Sequence, residues 1–173
     1  TASWKELPDA ILLSWQTGQQ GGAAVAELLR GTVNPSGKLP VSYPVSYADV
    51  PSSKSFPGIP ADLPVNSYYN EGVYIGYRYY TTYYGLSYTR FEYSDLTLSS
   101  DSFPGRIDVS VKISNTGKVA GKEVVQLYLT APAVLQDKPE RELKGFAKTR
   151  LLAPGESQVL TFTLDPRSLC SFR

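Results

Sequence analysis

Residues 107–117 read IDVSVKISNTG. Ile107, Val109, Val111 and Ile113 alternate with Asp108, Ser110, Lys112 and Ser114, so an extended chain here is apolar on one face and polar on the other. Asn115-Thr116-Gly117 then supplies turn residues that end the run. The same pattern continues downstream. Val125, Leu127 and Leu129 alternate beyond Gly121, a third apolar stretch lies around Leu143 to Leu152, and Pro154-Gly155 turns the chain into a fourth that carries Leu160, Phe162 and Leu164. Short alternating strands punctuated by turn signals predict a β-sandwich of immunoglobulin-like or fibronectin type III-like character over residues 91–173.

Upstream of residue 91 the pattern is different. Asp9-Ala10-Ile11-Leu12-Leu13-Ser14-Trp15 is a continuous apolar run, as expected of a strand buried on both faces of a parallel sheet. Thr17-Gly18-Gln19-Gln20-Gly21-Gly22 follows, and then AAVAELLRG at 23–31, where Val25, Leu28 and Leu29 recur at helical spacing and Gly31 occupies a helix C-cap position. After the turn Asn34-Pro35-Ser36-Gly37, the proline-bearing segment Lys38–Pro44 predicts an edge strand. Residues 1–44 therefore carry the last βα units of an α/β domain, too small to cover both faces of its own sheet. Residues 45–90 hold a proline-rich connection and then a tyrosine-rich stretch, expected to be a strand around residues 73–80 that packs between domains. Eight of the thirteen tyrosines fall within residues 72–95. Tyrosine buries ring area while its hydroxyl demands a partner, which suits a packing seam or a sugar platform.

Composition excludes much chemistry. The chain has 173 residues, a formal charge of +1 and no basic cluster, so a nucleic-acid surface lacks its electrostatic basis. No apolar run approaches the ~20 residues that span a bilayer. Histidine is absent, which removes Ser-His and Cys-His pairs and imidazole metal ligands. Cys170 is the single cysteine, so the chain forms no internal disulfide and gives no reading of compartment. It opens at Thr1, contains no methionine and shows no signal-like leader, and it is expected to be a piece of a longer polypeptide.

Reactive groups must then be carboxylates, lysine or tyrosine. Asp108, Glu123, Asp137, Glu140, Glu142 and Glu156 fall on expected exposed strand faces or turns and are read as solvated charges. Glu71, just before the tyrosine run, is the acid whose burial among rings would raise its pKa, although a structural hydrogen-bonding role is preferred. Arg78 is expected to form an internal ion pair with an acid such as Glu71. GQQGG at 18–22 sits between a strand and a helix, where backbone amides attract anions. It lacks the spacing of a phosphate loop, and close helix–strand packing is the preferred reading.

Seven segments taken in order resemble the C-terminal region of glycoside hydrolase family 3 β-glucosidases. They are ILLSWQTGQQGG (11–22), GTVNPSGKLPVSYP (31–44), EGVYIGYRYY (71–80), YGLSYTRFEYSDL (84–96), SNTGKVAGKEVVQLYL (114–129), ELKGFAKTRLLAPGES (142–157) and DPRSL (165–169). The resemblance implies the end of an α/β sandwich domain followed by a fibronectin type III-like domain. It further implies a retaining exo-acting β-glucosidase whose nucleophile and acid/base lie before Thr1, so no catalytic, cofactor or metal-binding residue is assigned in this chain. The implied partner is the N-terminal part of the same enzyme, which binds the β-glucoside; a homodimer stays open. Between the RYY and GLSY segments the chain departs from its relatives, with only Thr81–Tyr84 in place of a longer loop. A non-catalytic carbohydrate-binding or adhesive sandwich is the alternative, and the βα remnant at 9–31 argues against it.

Overall fold

A computed structural model describes residues 4–60, 62–63, 65–78, 85–134 and 136–170. The chain divides into two compact units. One comprises residues 14–38, 85–129 and 143–173, and the other residues 1–13, 39–84 and 130–142.

The first unit contains the β-sandwich. Strands β1 (Phe91–Leu98), β2 (Ile107–Asn115) and β5 (Ser157–Leu164) form an antiparallel sheet in the order β1-β2-β5, while β3 (Val124–Leu129) pairs with β4 (Glu142–Lys148). Alternation in β2 works as the sequence predicts: Val109, Val111 and Ile113 are buried, and the intervening residues are half-buried. The core gathers Val111 and Ile113 with Val125 of β3, Leu152 and Phe162 of β5, flanked by Phe91, Leu127, Ala147 and Leu160. Ile113 and Leu152 are sealed from solvent, so truncating either to alanine removes on the order of 2–5 kcal/mol.

Asn115 continues the inward phase of β2 and is also fully buried. A polar side chain there must be satisfied by protein. Its Nδ2 donates to the carbonyls of Val119 and Leu152 at 2.9 Å each. Its Oδ1 accepts from the Thr89 hydroxyl at 2.8 Å and the Gly117 amide at 3.1 Å. Both lone pairs and both amide hydrogens are thus used. Gly117 is required beside it, because a β-carbon would strike the Thr89 side chain.

Helix α1 (Gly21–Leu29) stands where predicted, and Gly31 ends it at φ +72°. The Thr32 amide bonds the Glu27 carbonyl at 3.1 Å and the Gly31 amide bonds the Leu28 carbonyl at 3.0 Å, the paired Schellman closure. A short second helix, α2 (Pro166–Leu169), is capped by Asp165, whose carboxylate accepts from the Ser168 amide at 2.9 Å.

Three expected strands are not formed. Among the described residues, 9–15 and 38–44 join no ladder: the chain bends at residues 40 and 41, Trp15 takes φ +50°, and a strand exists only where a neighbour shares its hydrogen bonds. Just before and within the expected strand at 73–80, Gly72 and Gly76 take φ of +56° and turn the chain, and Gly76–Arg78 forms a 3-10 turn. Tyr79 and Tyr80, with the loop Thr81–Tyr84, lie outside the described residues. The connection before them forms 3-10 turns at Tyr47–Asp49 and Pro51–Lys54, the first closed by a Ser46–Asp49 capping box.

Candidate functional site

The buried charged residue of the sandwich unit, among the described residues, is Glu123. Gly121, Glu123 and Val125 alternate inward while Lys122 points out, so the residue entering β3 carries its carboxylate inside. Glu123 is only 7% exposed, which corrects its expected place on a solvated face. Its Oε1 receives the Lys38 ammonium at 2.8 Å and the Tyr93 hydroxyl at 2.8 Å. Its backbone amide donates to Thr149 Oγ1 at 2.9 Å, and the Thr149 amide donates to its carbonyl, also at 2.9 Å. Burial of the Tyr93 hydroxyl, reinforced by the hydrogen bond and charge of Glu123, pushes its pKa well above the ordinary tyrosine value. The ring itself is half exposed, so this upward shift is softened by solvent.

Asn34 forms a neighbouring node. Its Oδ1 accepts from the Tyr88 amide at 2.8 Å, and its Nδ2 reaches the Ala120 carbonyl at 3.4 Å. Gly121 makes this approach possible, because a β-carbon there would overlap Asn34 Nδ2. The Tyr88 hydroxyl donates to the Leu28 carbonyl at 2.8 Å. Two members of the tyrosine run therefore spend their hydroxyls on partners inside one compact unit.

Several other acids are engaged by cations or caps. Asp108 accepts from the Thr163 hydroxyl at 2.6 Å and from Arg106, which holds its carboxyl below the usual range. Glu156 binds Arg150 and the Ala153 amide at 2.8 Å each, with the same direction of shift. Asp165 is lowered by its bonds to Ser168. The ion pair expected for Arg78 exists, but the acid it engages is Glu142, at 3.3 Å, within the unit that holds residues 39–84 and 130–142. Glu142 is accordingly not the solvated charge it was expected to be. Asp137, Glu140 and Glu156 are exposed as expected. Glu71 is half-buried, and its carbonyl accepts the Tyr74 amide at 3.0 Å.

The close helix–strand packing expected of the GQQGG stretch is confined to one residue: Gly18, Gln19, Gln20 and Gly22 are exposed, and no strand precedes the helix among the described residues. Gly18 takes φ +65°, and Gly21 is buried with the Thr17 side chain where a β-carbon would stand. Among the described residues, no group of three acids or cysteines is placed to hold a metal ion. Sequence reasoning missed Glu123 although the signal was available, since period-2 counting from Val125 puts it inside.

Residues 1–77 match the glycosyl hydrolase family 3 C-terminal domain, and residues 123–173 match the fibronectin type III-like domain. Beta-glucosidase BoGH3A of Bacteroides ovatus is 44% identical over 183 residues, covering 97% of this chain and 24% of its own length. Thermostable beta-glucosidase B of Acetivibrio thermocellus is 43% identical over 180 residues, covering 98% and 23% respectively. Among solved structures, beta-glucosidase 3B from Thermotoga neapolitana in complex with glucose superposes with a TM-score of 0.89 at 50% identity, over 99% of this chain and 25% of that one. The Bifidobacterium adolescentis GH3 beta-glucosidase gives 0.85 at 36% identity, over 96% and 25%. The chain thus spans about a quarter of the length of the relatives it matches.

Proposed function

This chain has the sequence and fold of the C-terminal region of glycoside hydrolase family 3, and from that premise we propose that it serves a retaining exo-β-glucosidase acting on terminal, non-reducing β-D-glucosyl units. In this reading the nucleophile and the acid/base are carboxylates of sequence N-terminal to residue 1, and the chain itself is structural. Residues 1–44 complete an α/β sandwich domain, 45–90 connect, and 91–173 form the fibronectin type III-like domain.

One observation carries the reading. Nearly all of the chain aligns with only a quarter of each β-glucosidase, and always as a part of it. Exposure supports it: Ile11 and Leu13, each 44% exposed, and Trp15, 53% exposed, belong to an apolar run that a soluble globule normally covers. Within the sandwich unit, the acids at Glu123, Asp108 and Glu156 are spent on Lys38, Arg106 and Arg150. Glycoside hydrolysis needs two carboxylates facing each other across a sugar, roughly 5–10 Å apart.

The test compares the 173-residue chain with a polypeptide about four times as long that carries it, using p-nitrophenyl β-D-glucoside. The chain alone is expected to show no turnover, and the long polypeptide to release β-glucose first when the product anomer is followed by NMR. Turnover by the chain alone would overturn the placement of the carboxylates. Initial release of α-glucose would overturn retention.

A further inference from the structure

Helix α1 lacks most of what keeps a short helix folded. It is nine residues long, below the ~12–15 at which isolated helices become even marginal in water. It begins with Gly21-Gly22, has no side-chain N-cap, and carries no acid in its first turn or base in its last. Gly21 is its only buried residue; Val25 and Leu28 are half-buried, while Ala23, Ala24, Ala26 and Leu29 face solvent. Ala23, Ala24, Ala26, Glu27, Leu28 and Leu29 favour a helix, but over nine residues propensity alone does not hold one in water, and its own burial adds little.

What it does have is a set of attachments at its C-terminal end, all within one compact unit. The Tyr88 hydroxyl adds a second donor to the Leu28 carbonyl, which already accepts the Gly31 amide. Asn34 is held by the Tyr88 amide and the Ala120 carbonyl, and Lys38 is anchored on buried Glu123. Each partner belongs to the β-sandwich or to the chain entering it. The helix closes at Gly31 and Thr32, and only Val33 separates that closure from Asn34, so fixing Asn34 also fixes where the helix must end.

We propose that Asn34 and Lys38 form a clamp through which the β-sandwich holds α1 helical, with Tyr88 bracing the last turn. The sandwich then acts as the template for a helix that precedes it in sequence and shares its compact unit, and Lys38 and Asn34 are positioning residues. This holds whether or not the glucosidase reading is correct, because every contact it uses lies inside the chain.

Native-state amide exchange on the full chain tests it. In Lys38→Met, α1 amides from Ala24 to Gly31 should exchange about tenfold faster or more, while the β2 and β5 ladder stays within about threefold of the parent, as local opening without global unfolding requires. The gentler Tyr88→Phe removes one exposed hydroxyl and should speed the amides of the last α1 turn about threefold. An exposed control, Arg106→Ala, should leave α1 unchanged. Unaltered α1 exchange in both clamp variants would overturn the proposal. So would equal acceleration of α1 and β2 in Lys38→Met, or α1 amides that already exchange at random-coil rates in the parent.

Discussion

The two compact units use similar apolar side chains to different ends. In the sandwich unit, Val109, Val111, Ile113, Val125, Leu152, Phe162 and Leu164 are all buried, and they are the buried hydrophobic residues of the described chain. In the unit holding residues 39–84, Phe56, Leu63, Val65 and Tyr69 stand largely in solvent, Tyr69 at 89% exposure. Hydrophobic stabilisation scales with area removed from water, so the first unit carries its own driving force while the second draws little from its own side chains. A family boundary drawn by sequence therefore does not coincide with a boundary in stability. The helix-bearing segment 14–38 belongs with the sandwich, and residues 39–77 of the same matched domain do not.

That contrast predicts unequal sensitivity to mutation. The largest effect should come from Asn115→Leu. It strips partners from Thr89, Gly117, Val119 and Leu152 at a sealed position, and should cost about 4 kcal/mol, read as a lowered urea midpoint at unchanged slope. A cost below ~1 kcal/mol would show that the hub is dispensable and the sandwich less self-sufficient than its burial implies.

An intermediate effect should follow pH, again from the sandwich unit. Asp108, Glu156 and Asp165 have folded pKa values below their ordinary ones, so their contribution is present above the ordinary carboxylate range, roughly pH 4, and is lost as pH falls through the lowered values. Tyr93 is raised, so its contribution is complete below the ordinary tyrosine pKa of about 10 and is lost as pH climbs toward the folded value. Urea midpoints across pH should fall on both sides, and Tyr93→Phe should flatten the alkaline side. An alkaline slope unaffected by Tyr93→Phe would place its source elsewhere.

The smallest effect is expected at Tyr69→Ala, within about 0.5 kcal/mol because the ring is already in water. A loss above ~1 kcal/mol would reveal a core in residues 39–84 and dissolve the contrast between the units.

Legibility in the sequence followed the same division. Where a strand finds its neighbours within the chain, alternation was sufficient: β2 and β5 emerged from Ile107–Ile113 and Leu160–Leu164, and the Gly31 cap from its position after Leu29. Strand β1 carries no clear alternation because its register shifts between Ser94 and Thr97, which breaks the period-2 signal. Ile11–Trp15 and Lys38–Pro44 have the composition of strands but no ladder partners. Propensity records what a segment can do, and pairing decides whether it does. Glu123 departs from its expected face for a different reason: a charge suggests solvent, whereas the phase set by Val125 turns residue 123 inward. Lys38, eighty-five positions away in sequence, could not be assigned to it without the fold.

The irregularity in β1 has a consequence for how copies of this protein meet. This strand lies at the edge of its sheet, and at Asp95 the backbone adopts φ +53° beside the register shift, with the carboxylate within 3.8 Å of Lys112. An incoming strand from another molecule would find the row of free amides interrupted and a charged pair in its path. The β1 edge is thereby a poor template for an added strand, whereas the opposite edge, β5, keeps a continuous register with β2.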